Sequence, residues 1–367
     1  MPRRSWTTLV PVLGGLLLAV TWGRDLGPVV LVGVTAVLIA SVLAAVHHAE
    51  VVAHRVGEPL GSLVLAVAVT VIEVALIVTL MVTAEKDVSG LARDTVFAAV
   101  MISINGIVGL SLLVSALKHH LAVFNPEGTG SALATVVTLA TLCLVLPSFT
   151  TSESGPEYSG PQLVFAAIAS LVLYALFVFT QTIRHRDFFL PVDREGTTLR
   201  PGEHDADADG HADPPDDRTT AWSAGLLVLS LVAVVGLAKI VSPAIEDGVA
   251  AVGFPNAVVG VVIALLVLLP ESIAAVRAAA RERVQVSLNL AMGSAMASIG
   301  LTIPTLAVAS IWLDGPLALG LDDVQIVLLF LTVIVGILTV VPGRAKPLQG
   351  GLHLVLLACF VFLTIAP

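Results

Sequence analysis

The chain has 367 residues, of which 57% are hydrophobic and 12% charged, and its formal net charge is -9. A mean hydropathy of +0.99 excludes a soluble domain with a polar surface and indicates a protein that lies in lipid. Seven of the 27 acidic residues fall between Glu203 and Asp217, so the rest of the chain is nearly balanced in charge and gives no sign of a nucleic-acid partner. Cys143 and Cys359 both lie in apolar runs, which excludes a disulfide framework or a Cys-rich metal site.

Apolar runs recur along the whole sequence, and each is long enough to cross a hydrocarbon core of about 30 Å as a helix. We therefore predict an all-α membrane protein with about eleven transmembrane helices. The predicted spans are 6–22, 28–53, 59–84, 95–117, 131–147, 161–183, 222–242, 254–276, 285–312, 322–341 and 349–366.

The distribution of Lys and Arg indicates the orientation of these spans. With the N-terminus in the cytoplasm, fourteen Lys and Arg residues fall in cytoplasmic segments and three, Arg24, Lys86 and Arg93, on the other side. Because cytoplasmic loops carry an excess of Lys and Arg, we predict a cytoplasmic N-terminus and an outside C-terminus.

A hydrophilic stretch divides the chain into two related parts. We predict an extra N-terminal helix in 1–26, a five-helix repeat in 27–186, an acidic cytoplasmic linker in 187–221 and a second five-helix repeat in 222–367. Each repeat has a proline near the start of its second helix, Pro59 or Pro255, and one glutamate deep in that helix, Glu73 or Glu271. Units with an odd number of spans enter the membrane in opposite orientations, so these repeats are expected to be inverted, with a site between them.

Four ionisable residues fall inside predicted spans: Glu73, Glu271, Lys239 and His353. A lone carboxylate at the bilayer centre costs about 2.5 to 3.5 kcal/mol, so Glu73 and Glu271 need compensating partners. Glu271 follows Pro270, which has no N–H and leaves nearby carbonyls available as ligands. We expect Lys239 and His353, which lie near span ends, to be interfacial.

The pair of buried carboxylates predicts which ions the site binds. A single one could simply bond to a neighbouring helix, but two at matching places can be neutralised by two protons or by one divalent cation. Ca2+ prefers six to eight oxygen ligands, so Glu73 and Glu271 are the predicted metal ligands. Competition between cation and protons for the same oxygens is antiport.

Small polar residues on the flanking helices are candidate helper ligands: Thr70, Ser103 and Asn105 in the first half, and Ser294, Ser298 and Thr302 in the second. Ser and Thr also bond to their own helix backbone, and that alternative stays open for each of them.

At the cytoplasmic end of the second span, His47, Glu50 and His54 are spaced to share one helix face, and Glu58 follows. They are a candidate proton relay, pH sensor or weak metal site, or alternatively a polar face that ends the span. In the linker, Asp205, Asp207 and Asp209 have the spacing of the first half of an EF-hand loop. The prolines after them break that pattern and favour a disordered segment, so Ca2+ binding there stays open.

Three stretches carry a family resemblance. GEPLGSLVLAVAVTVIEVALIV, LARDTVFAAVMISINGIVGLSLL and LPESIAAVRAAARERVQVSLNLAMGSAMASIGLTIPTL resemble the bacterial sodium-potassium/proton antiporters, in the calcium/proton exchanger branch of the cation/Ca2+ exchanger superfamily. The resemblance implies alternating access in a bacterial inner membrane, no cofactor, and paired repeat glutamates at Glu73 and Glu271. Vacuolar members have a Gly-Asn pair shortly before each glutamate, which this chain lacks.

We therefore expect a cation/proton antiporter that exchanges Ca2+ for protons, with Na+ and K+ as further cations. One alternative is a Na+-coupled Ca2+ exchanger, which would carry several more intramembrane carboxylates and amides. Another is an intramembrane enzyme, which would need a paired Asp or a Ser/His arrangement at membrane depth.

Overall fold

The computed structural model describes residues 6–24, 26–56, 60–83, 89–193, 197–198, 215–312 and 317–367. Glu58 and the segment 199–214, with its EF-hand-like aspartates, lie outside these residues, and the predictions made for them stay predictions.

Helices form almost all of the described structure. They are α1 Trp6–Thr21, α2 Pro28–Val56, α3 Leu60–Thr83, α4 Leu91–His119, α5 Pro126–Phe149, α6 Gly160–Arg184, α7 Asp217–Ala251, α8 Ala257–Ala279, α9 Val284–Ala309, α10 Asp323–Val340 and α11 Pro347–Ile365. A 3-10 turn covers Arg186–Phe189, and strands β1 Ala122–Val123 and β2 Arg344–Ala345 pair in antiparallel fashion.

Within the described ranges, nine helices are long and apolar enough to cross a membrane, and Trp6–Thr21 and Ala66–Val82 are shorter apolar helices. Together they correspond to the eleven predicted spans, so the predicted all-α membrane protein is confirmed. The physical basis is the length of each apolar run, because a helix rises 1.5 Å per residue.

Helix ends depart from prediction where capping residues act. α7 starts five residues before the predicted 222, because Asp216 accepts a bond from the Thr219 N–H and caps the helix. The pKa of the Asp216 carboxyl lies below its ordinary value. The main cause is a hydrogen bond from the Thr219 side chain, and a bond from the Thr219 backbone adds to it. α7 also continues past the predicted 242 to Ala251, with Pro243 inside it.

Some helices are not regular along their length. α4 contains a π-helical turn at Ile102–Ile107 between α-helical Leu91–Met101 and Val108–His119. α9 is interrupted at Leu301, between Val284–Gly300 and Thr302–Ala309. Such π turns are rare and often lie at functional sites.

α4 lies at the centre of the fold and α6 at its edge. Of the most apolar 18-residue window of each helix, 83% is buried in α4 and 22% in α6. Large apolar side chains of the outer helices, such as Phe165 on α6 and Phe330 on α10, are exposed. In a bilayer they face acyl chains, which favour exposed apolar residues.

Four helices meet around the centre. Each of α3, α4, α8 and α9 contacts the other three. These are the helices that carry Glu73, Glu271 and all six candidate helper residues, so the fold brings the two halves of the sequence together at this point.

Candidate functional site

Glu73 is buried in the middle of α3, with 2% of its surface exposed. Its Oε2 accepts a hydrogen bond from Ser298 Oγ at 3.0 Å and another from Thr302 Oγ1 at 3.2 Å. Both donors lie on α9, one on each side of the interruption at Leu301. Hydroxyls from the second half of the chain therefore supply the compensation that a carboxylate needs in an apolar helix.

Glu271 is buried on α8, with 6% of its surface exposed. Its helix contacts α3, the helix that carries Glu73. The helix continues through Pro270, whose missing N–H leaves the carbonyl of Leu266 without a helical donor. Within the described residues, Oε2 of Glu271 has no hydrogen-bond partner, whereas Oε2 of Glu73 has two hydroxyl donors.

Buried polar atoms without partners occur on three of the four central helices. Among the described residues, six buried side-chain atoms have no hydrogen-bond partner, and four belong to predicted site residues. These four are Thr70 Oγ1, Glu73 Oε1, Ser103 Oγ and Glu271 Oε2. Buried polar groups are nearly always paired, so such a group of oxygens marks a place suited to an ion or to exchangeable protons.

The remaining candidate ligands differ in their contact with Glu73. Ser298 donates directly to it, while Ser294, one turn earlier on α9, is half-buried and is not among the donors to that carboxylate. Thr70 lies one turn before Glu73 on α3, and Ser103 lies in the π turn of α4.

Asn105 is bonded away from the glutamates. Its Nδ2 donates to Thr332 Oγ1 at 2.8 Å, and its Oδ1 lies 3.0 Å from His353 Nδ1. His353 is 1% exposed and its Nε2 lies 3.2 Å from Thr339 Oγ1. The prediction that His353 is interfacial was therefore wrong, because neighbouring helices enclose it and supply partners for both ring nitrogens.

Lys239 takes no part in the glutamate site. Its exposed side chain reaches the ring of Trp22, with Nζ 5.1 Å from the ring centroid. This is a cation–π contact at the edge of the fold.

The predicted cytoplasmic cluster lies on α2. His47 and Glu50 are exposed and His54 is half-buried. The helix of Glu50, α2, also contacts α8, which carries Glu271. Glu50 is therefore an exposed carboxylate on a helix that reaches the central group of helices.

Sequence reasoning missed His48, which is buried next to His47. Its Nε2 donates to the carbonyl of Thr7 at 2.9 Å, and its Nδ1 is without a partner within the described structure. This bond fastens α1 to α2. The adjacent pair of histidines was visible in the sequence, but only the buried position of the second distinguishes them.

Residues 26–183 and 222–366 match the family described as sodium/calcium exchanger protein. The chain belongs to this family. It is 43% identical over 365 residues to y4hA of Sinorhizobium fredii, described as an ionic transporter, which covers 99% of this chain and 96% of that protein. It is 31% identical over 367 residues to the sodium-potassium/proton antiporter ChaA of Escherichia coli, covering 98% of this chain and 96% of ChaA. The chain is thus a multi-pass membrane transporter of the cation/Ca2+ exchanger superfamily, as the resemblance implied, and not an enzyme.

Solved structures agree on the fold. YfkE, a Ca2+/H+ antiporter, matches with a TM-score of 0.71 and 15% identity over 98% of this chain and all of YfkE. The H+/Ca2+ exchanger CAX matches with a TM-score of 0.64 and 14% identity over 97% of this chain and 86% of CAX. At these identities the likeness concerns the fold alone.

Proposed function

We propose that this protein exchanges a cytoplasmic cation for protons at a site formed by Glu73 and Glu271, with Ca2+ as the first cation and Na+ and K+ as further substrates. The observation that carries the proposal is the pair of buried carboxylates, each with an oxygen for which the described residues provide no partner. A divalent cation or two protons would neutralise the pair equally well, so the arrival of one displaces the other. Thr70, Ser103, Ser294 and Ser298 are the proposed additional oxygen ligands.

The repeat organisation fits this mechanism. We propose that 27–186 and 222–367 are inverted repeats joined by the acidic linker, and that the site faces each side of the membrane in turn. The spacing Met101, Ser103, Gly109 recurs as Met292, Ser294, Gly300 in the second half, which supports the repeat. At one further position of this alignment, the first half has Ile107 where the second half has Ser298. The first half therefore lacks a counterpart of the Ser298 hydroxyl that reaches Glu73.

Acidic residues lie on both sides of the proposed site. At one end, Glu50 is exposed on α2, which contacts the helix of Glu271. At the other, a cavity of about 450 Å³ is lined by Asp94, Glu157 and Glu246, together with Arg93 and Leu80. Leu80 lies two turns after Glu73 on α3, about 10 Å along the helix axis. We propose that these are the cytoplasmic and external approaches, with His47, Glu50, His54 and Glu58 as proton relay groups on the cytoplasmic side.

The orientation completes the proposal. We propose a bacterial inner membrane location, since the similar proteins come from bacteria. The excess of Lys and Arg on one side supports a cytoplasmic N-terminus and an outside C-terminus. A reporter fused after Pro367 that is active only outside the cytoplasm tests this orientation directly.

The function is tested in inside-out vesicles with an imposed pH gradient, in which Ca2+, Na+ and K+ are added separately and recovery of a pH-sensitive dye is followed. Wild-type protein should give recovery with Ca2+. Glu73→Gln and Glu271→Gln should each abolish it, because an amide cannot release a proton or balance a cation charge. The matched control is Glu127→Gln, an exposed glutamate in the first turn of α5.

Normal recovery in either site variant would remove that glutamate from the mechanism. Ca2+ uptake that needs an opposing Na+ gradient, and is indifferent to the pH gradient, would instead establish a Na+-coupled exchanger.

A further inference from the structure

A closed polar cluster joins the π turn of α4 to two helices outside the glutamate site. It consists of Asn105 on α4, Thr332 and Thr339 on α10, and His353 on α11, and each of the four is at most 2% exposed. We call it the α4–α10–α11 cluster.

The hydrogen bonds of this cluster define its donors and acceptors. Because Asn105 Nδ2 donates to Thr332, its Oδ1 faces His353 and must accept a bond from Nδ1–H. The other ring nitrogen, Nε2, is hydrogen-bonded to Thr339 Oγ1 at 3.2 Å. Both ring nitrogens of His353 therefore have partners inside the cluster.

The cluster acts on the irregular part of α4. Asn105 belongs to the π turn Ile102–Ile107, and it also contacts Met101 Sδ at 3.6 Å, the residue just before that turn. Beside the turn, α4 and α11 approach at two glycines: a Cβ on Gly350 would lie 2.7 Å from the carbonyl oxygen of Gly109. Side-chain bonds and close backbone packing thus hold the π turn against α10 and α11.

Ser103 lies two residues before Asn105, so the two side chains point to roughly opposite sides of the helix. Since Asn105 is turned toward α10 and α11, Ser103 is turned toward α8 and α9, which the π turn also contacts. Its hydroxyl is fully buried and has no partner in the described part of the chain. An unpaired buried hydroxyl costs about 1 to 3 kcal/mol. Since no hydrogen bond from the described residues holds the Ser103 hydroxyl in this place, packing of the π turn must hold it there.

We propose that the α4–α10–α11 cluster positions the Ser103 hydroxyl as a ligand for the transported cation, on the side of α8 where Glu271 stands. His353 is then a positioning residue that acts through Asn105 and the π turn, and it touches neither the cation nor the glutamates. The proposal rests on the proposed function, because it assumes that a cation occupies the glutamate site. Hydroxyl oxygens are suitable ligands for Ca2+, Na+ and K+.

The test measures the Ca2+ dependence of exchange in vesicles that contain the full chain. Residues that orient a metal ligand typically contribute 10- to 100-fold to affinity, so His353→Ala should raise the KM for Ca2+ about tenfold, with Vmax little changed. His353→Gln, whose amide can donate to Asn105, should restore part of the affinity. Ser103→Ala should raise KM to a similar extent, and the matched control Ser230→Ala, a buried serine outside the four central helices, should not.

The decisive variant combines His353→Ala with Ser103→Ala. If His353 acts through Ser103, the double variant should have the KM of the Ser103→Ala single variant, because the ligand is already gone. Two independent effects that multiply, or a normal KM in His353→Ala, would overturn the proposal.

A second measurement separates this proposal from the proposed function. Ca2+ bound to the native state raises the unfolding temperature of the purified protein, and the Ca2+ concentration needed should shift in the same order among the variants. Wild-type vesicles that exchange no cation for protons would refute the proposed function, while an unshifted Ca2+ dependence in Ser103→Ala would refute this one. If His353→Ala does not fold, Thr332→Val, of nearly equal shape, removes the bond from Asn105 instead.

Discussion

The two hydroxyl groups that donate to Glu73 allow a test of how strongly the proposed site binds a cation. Ser298 and Thr302 donate to the same carboxylate oxygen, at 3.0 Å and 3.2 Å, in a buried place. Hydrogen bonds to a charged group contribute about 1.5 to 3 kcal/mol each. About 1.4 kcal/mol corresponds to a factor of ten in an equilibrium constant. Losing one donor should therefore make the ionised, cation-binding form of Glu73 less favourable relative to its protonated form by a factor of about 10 to 140.

Ser298→Ala and Thr302→Val should therefore each raise the KM for Ca2+ at least about tenfold at a fixed pH, and Vmax should change less. The assay is dye recovery in inside-out vesicles over a range of Ca2+ concentrations. The control is Ser242→Ala, whose buried hydroxyl donates to the carbonyl of Ala238 in its own helix at 2.7 Å. A KM within twofold of wild type for both site variants would refute the idea that these donors hold an ionised Glu73.

Two further predictions concern stability, measured as the unfolding temperature of the purified protein in detergent. Gly350→Ala should destabilise it by about 1 to 3 kcal/mol, since the new Cβ would lie 2.6 Å from the backbone nitrogen of Leu113, whereas Gly351→Ala meets nothing within 4 Å and should be neutral. Equal effects of the two would contradict the close helix contact. Asp217→Asn, which breaks an exposed ion pair with Arg55, should change stability by less than about 1 kcal/mol, and a larger loss would show that this pair does more than a surface contact.

The sequence was informative about the glutamates because their environment is local. An apolar run on both sides of Glu73 makes an unpaired carboxylate costly, whatever the tertiary fold, and the same holds for Glu271. Ser298 and Thr302 were candidates because they stand on the helix after the second glutamate. Their bond to the first glutamate, 225 and 229 residues away, came only from the structure.

The partners of Asn105 and His353 could not be predicted from the sequence. Asn105 stands two residues from Ser103, and the sequence grouped the two together, yet Asn105 bonds to Thr332 and His353 on other helices. His353 lies near the start of its span, which suggested an interface. Close approach of α4 at Gly350 encloses it instead, and Asn105, 248 residues away, provides its partner.

The number and order of the helices were determined by the sequence alone, because each helix needs an apolar run long enough to span the bilayer. The rotation of each helix about its axis was decided by the tertiary structure. A soluble helix shows its buried face through a polar opposite face, but in lipid both faces are apolar, so the sequence carries little signal for rotation. Which hydroxyl meets which carboxylate depends on that rotation, and it is fixed by close packing at glycines and by a few buried hydrogen bonds between distant helices.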